Sequence, residues 1–99
     1  MGAGWPEAFD REMGCTEADW LRWLPAAIGA REWRCEPGAA TVKVGEGELH
    51  LRWRAGEPRT IALVRLPRLH VSFRFEDVAA GERRAFMERF DLYMQRGGG

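Results

Sequence analysis

The side chains that could do chemistry are few: Cys15, Cys35, His50, His70 and a series of arginines. Structural zinc sites draw Cys or His in close pairs, with roughly two to five residues between partners. No two of these four lie closer than 15 residues, so no metal ligand is assigned and no cofactor is expected. Cys15 stands one residue before Thr16, where a helix dipole would lower its pKa and favour the thiolate, which makes it the best single nucleophile. Without a legible Cys–His arrangement or a Gly-rich phosphate loop, however, the sequence supplies no catalytic residue. The adjacent carboxylates Glu76 and Asp77 suit a helix start better than acid–base work.

The richer pattern is cationic. Lys43, His50, Arg52, Arg54, Arg68, His70 and Arg74 all fall on positions that alternate with apolar residues. If the strands pair in chain order, these seven share one open sheet face with few acids to oppose them. Such a face could hold an anionic ligand, an acidic protein or a phosphate backbone, and it also simply solvates the sheet. Trp53, Phe73 and Phe75 lie on the opposite register, so the stacking platforms used by single-strand nucleic-acid binders are missing. The 15 basic and 15 acidic residues cancel, which removes any global pull toward nucleic acid or an anionic membrane. Any anion binding must therefore be local.

The elements that would position this face follow from periodicity. From Leu69, the residues Leu69, Val71, Phe73 and Phe75 alternate with Arg68, His70, Ser72 and Arg74, as in a half-buried strand. Thr60 to Leu66 is apolar on both faces and reads as a more central strand, joined to the next by a bend at Pro67 and Arg68. Shorter strands are expected in REWRCE, in Ala40 to Val44, and in Glu48 to Arg54, with a hairpin connection at Gly45 to Gly47. Leu49, Leu51 and Trp53 face inward there.

Thr16-Glu17-Ala18-Asp19 fits a helix N-cap, with Trp20, Leu24, Ala27 and Ile28 on one face and Pro25 predicted to stop or kink the helix. A second helix runs from Ala79 or Ala80 to Arg96, with a stripe of Phe86, Phe90, Tyr93 and Met94 and Gly97 as its cap. Asp77 or Gly81 could cap its start. Residues 1–14, with Gly2, Gly4 and Pro6, are expected as an irregular arm that Trp5 and Phe9 tether to the body. The expected fold is one α+β domain over residues 1–99, helix, antiparallel meander of four to five strands, helix, with both helices on one face of the sheet. The N-terminus lacks a secretory pattern and no window approaches the ~20 apolar residues of a spanning helix, so a cytoplasmic protein with no membrane partner is expected.

Two resemblances attach to the C-terminus. Arg96-Gly97-Gly98-Gly99 resembles the diglycine tail of ubiquitin-like and sulfur-carrier proteins, which implies a carboxylate activated for transfer, although a helix rather than a strand leads into it here. The segment FMERFDLYMQRGGG, Phe86 to Gly99, resembles the ending of a family of small bacterial proteins to which no activity is attached, and no site residue carries over. The expected function is a non-enzymatic binding module working through the basic face, with a homodimer through a self-pairing sheet edge or sheet face also expected. The alternative is a ligand or enzyme pocket between helices and sheet, lined by Trp20, Trp23, Trp53, Phe73 and Phe90.

Overall fold

In the computed structural model, which describes residues 4–98, the strands β1 (Ala8–Met13), β2 (Trp33–Glu36), β3 (Ala39–Val44), β4 (Gly47–Ala55) and β7 (Leu69–Glu76) form one sheet. Its order is β1-β7-β4-β3-β2, antiparallel throughout. Between β4 and β7 the chain makes a separate two-stranded hairpin, β5 (Arg59–Ile61) and β6 (Val64–Leu66). The helices α1 (Glu17–Ile28) and α2 (Ala80–Gly98) cover one face of the large sheet. This is the α+β helix–sheet–helix arrangement that the alternation implies.

The inward register builds the core as its periodicity requires. Val42, Val44, Leu49, Leu51, Leu69, Val71, Phe73 and Phe75 are buried against Trp20, Leu24, Ala27 and Ile28 of α1 and Phe86, Met87, Phe90 and Met94 of α2. Phe90 is its hub, with ring centroids 5.8 Å from Trp20, 5.5 Å from Phe73 and 5.6 Å from Phe86. Trp53 joins sheet to helix twice, packing 5.4 Å from Trp20 and donating its indole N–H to Glu17 Oε2 at 2.9 Å. The interlayer space where a pocket could lie is thus occupied by rings in contact.

The start of α1 is a capping box: Asp19 N–H donates to Thr16 Oγ1 at 3.1 Å, and the Asp19 carboxylate accepts from Thr16 N–H. Desolvation alone would raise the Asp19 carboxyl. The hydrogen bonds with Thr16 and the Arg22 guanidinium 2.7 Å away outweigh it and hold the group below its ordinary value. Pro25 neither stops nor splits the helix, which continues to Ile28 with Gly29 N–H closing on Pro25 O at 2.9 Å. With no basic residue in its own last turn, α1 takes a guanidinium from α2: Arg89 donates to Ala26 O at 3.1 Å.

Three expectations are corrected by the structure. Ala8–Met13 is not part of an irregular arm, because it adds to the sheet beside β7 with Phe9 opposite Phe73. The strand escaped notice because Arg11 occupies an inward position. Its charge is accommodated by Asp91 of α2 at 2.6 Å and by the rings of Trp5, Phe9 and Phe73, 5.6, 5.7 and 5.2 Å from the guanidinium. Second, Thr60 to Leu66 is no central strand. A turn at Ala62-Leu63 folds it into the hairpin, and all of its residues are exposed. Third, α2 starts after Ala79, so neither Asp77 nor Gly81 is its cap, and it runs through Gly97 to Gly98 instead of ending at Arg96. Gly99, the end of the diglycine-like tail, lies outside the described residues.

Candidate functional site

The face of the sheet away from the helices is built by the outward register of three neighbouring strands. β4 contributes Glu48, His50, Arg52 and Arg54, β7 contributes His70, Ser72, Arg74 and Glu76, and β1 contributes Ala8, Asp10 and Glu12. Cross-strand pairing sets them in rows: Arg54, His70 and Glu12; then Arg52, Ser72 and Asp10; then His50, Arg74 and Ala8. A groove of about 820 Å³ runs between Arg52, Arg54, His70, Asp10 and the Pro37-Gly38 turn. A smaller hollow of about 330 Å³ adjoins it toward His50 and Arg74. Arg52, Ser72 and Asp10 border both, which places Arg52 at their junction.

Six of the seven expected basic residues come together on this face, with Lys43 at its margin on β3. Arg68 precedes β7 and is committed to structure, donating to Glu57 O at 2.9 Å and pairing with Glu12 at 3.3 Å. The expectation of few opposing acids needs correction. The overlooked β1 brings Asp10 and Glu12 onto the face, where Asp10 accepts the Ser72 hydroxyl at 2.7 Å and Glu12 lies 3.8 Å from His70 Nδ1. His50 Nε2 is 3.0 Å from Glu76 and 3.7 Å from Glu48. Asp10 and Glu12 are the residues that the sequence conceals, because only an alternation disguised by the inward Arg11 marks them; Ser72 lies on the outward register that the alternation of β7 gives.

After this accounting, Arg52, Arg54, Arg74 and Lys43 have no ion pair among the described residues. Three exposed guanidinium groups therefore stand free on the two central strands. Each offers a planar fork of donors that matches a carboxylate or phosphate. Cys15 is buried in the core, while Glu48, His50 and Glu76 hold their ligand atoms within 4.8 Å of one another. Two carboxylates and one imidazole suit a divalent cation in type.

Glycine makes the first of two close approaches feasible and leaves room for the His70 ring at the second. A Cβ at Gly47 would lie 2.0 Å from the Glu76 carbonyl oxygen, so only glycine lets β4 begin this close to the end of β7. A Cβ at Gly56 would sit 2.5 Å from His70 Nε2.

Cys15 is buried, and burial, reinforced by the charge of Asp19, pushes its thiol up from the ordinary value instead of down. Desolvation wins over the helix dipole because the thiol points into the core. Cys35 is exposed on the edge strand β2, and both thiols are free. No protein-family model matches the chain, and no curated protein matches it in sequence.

Proposed function

We propose that the chain is a non-enzymatic interaction module whose open face binds an acidic segment of a partner protein. The observation that carries this reading is the set of unpaired guanidinium groups, Arg52, Arg54 and Arg74, bordering a groove on an uncovered sheet. An extended acidic chain fits it well. Carboxylates spaced along a strand can meet forks from successive rows, while Asp10 and Glu12 at one wall repel a misplaced acid and fix its track. The filled space between the layers supports this reading over an interior ligand pocket, since Trp20, Phe73 and Phe90 leave one another no gap to host a substrate.

The test is a titration of an aspartate- and glutamate-rich peptide into the isotopically labelled chain, followed by amide shifts at low and high salt. Shifts should cluster on β4 and β7 around Arg52, Ser72 and Arg74 and weaken as salt rises. The double variant Arg52→Glu, Arg74→Glu should abolish them while leaving the melting temperature nearly unchanged, because both side chains are exposed. Retained shifts in that variant, or shifts confined to core residues, would refute the assignment.

A further inference from the structure

The hairpin β5–β6 pairs only with itself and leaves its apolar side chains in water: Leu63 is 99% exposed, Val64 56%, Ile61 55% and Leu66 41%. The turn that presents them is unfavourable for its residues. Ala62, with φ of 54°, takes the position where glycine, asparagine or aspartate is normally selected, and Leu63 follows it. Neither solubility nor turn formation explains an Ala-Leu pair there. Charge is equally one-sided: from Pro58 to Pro67 the hairpin holds Arg59 and Arg65 and no acid, although the whole chain is neutral.

We infer that this hairpin is a peripheral contact for an anionic lipid surface, its tip entering the boundary between headgroups and acyl chains. The pairing of Ile61 with Val64 and of Thr60 with Arg65 puts apolar atoms beyond the arginines. Leu63 then leads, Ile61 and Val64 follow, and Arg59 and Arg65 reach the headgroup level. Lipid fits this geometry better than a protein groove for two reasons. The tip is apolar on every side, whereas a groove covers one side. Its few residues also fall far short of the roughly 20–30 a side that a stable protein interface engages. Lipid needs no such area, because each apolar side chain inserted and each arginine near an anionic surface adds its own contribution. Among the described residues no helix is long and apolar enough to cross a membrane, and the contact inferred is interfacial.

Flotation with vesicles of phosphatidylcholine, with and without about a third phosphatidylglycerol, tests this on the full chain. The wild type should float with the anionic vesicles, less so at high salt, and stay behind with the neutral ones. Leu63→Asp should lose at least about tenfold in partitioning, and Arg59→Gln with Arg65→Gln about fivefold per arginine. Circular dichroism checks that each variant is folded. Equal flotation of wild type and Leu63→Asp would overturn the inference, as would absence of flotation together with a dimer that Leu63→Asp dissolves, which would assign the hairpin to a second copy. The inference stands apart from the proposed function: Arg52→Glu, Arg74→Glu should still float. If that variant is lost from vesicles while Leu63→Asp is retained, the open face and not the hairpin is the lipid surface.

Discussion

Two neighbouring segments, the hairpin Arg59–Leu66 and the strand Leu69–Glu76, are separated only by Pro67 and Arg68, yet their apolar residues have opposite fates. In β7, Leu69, Val71, Phe73 and Phe75 are buried, whereas Ile61, Leu63, Val64 and Leu66 are exposed. Apolar content does not separate them; partners do. β7 lies between β1 and β4 and is roofed by α2, so every inward side chain meets a ring or methyl group. The hairpin turns back on itself at Ala62-Leu63 and never reaches the sheet. A strand of three residues has no neighbour other than its mate to bury against.

The largest effect that would sharpen this contrast is in the hub. Phe90→Ala should cost roughly 3–5 kcal/mol in urea unfolding, a large share of the roughly 5–15 kcal/mol available to a domain of this size. Leu63→Ser should stay within about 0.5 kcal/mol of wild type. A substantial loss at Leu63 would mean the hairpin packs on something and the contrast is false.

A middle-sized effect is expected at the cap of α1, where Thr16→Ala should cost about 1 kcal/mol. Because Asp19 has a lowered pKa when folded, its contribution is present above the ordinary carboxylate value and is lost as pH falls through the folded value. The gap between wild type and Thr16→Ala should therefore narrow in acid, and a pH-independent gap would argue against the capping box.

The smallest perturbation is chemical labelling. A thiol reagent should modify Cys35 at once and Cys15 only on unfolding, with a rate for Cys15 that follows denaturant. Rapid reaction of both would mean that the region around Gly14 opens readily.

Legibility followed the same division. Wherever one face is buried, the period of two was enough: Leu49, Leu51, Trp53, Val71 and Phe73 all face the core as their alternation dictates. The Phe86, Phe90 and Met94 stripe was readable for the corresponding helical reason. β1 was hidden because an inward arginine breaks the pattern, and its compensation by Asp91 lies 80 residues away in sequence. Thr60 to Leu66 departs from the central strand expected because apolar residues on both faces say nothing about whether a strand has neighbours. The basic face was legible in its cations, but Asp10 and Glu12, two of the acids that balance it, belong to the strand that was not.

The sheet order β1-β7-β4-β3-β2 has a consequence for assembly. β4 can pair with β3 across a short turn as soon as both exist, while β1 must wait for β7, since Phe9 finds its place opposite Phe73. The loop closed by that pairing spans most of the chain, and its entropy cost is met only after the later strands are in position. Asp10 and Glu12 thus join a platform already carrying its arginines. Without β1 the sheet would be one strand narrower and its arginines less opposed, so the first-made strand tunes the charge of a surface built by the rest of the chain.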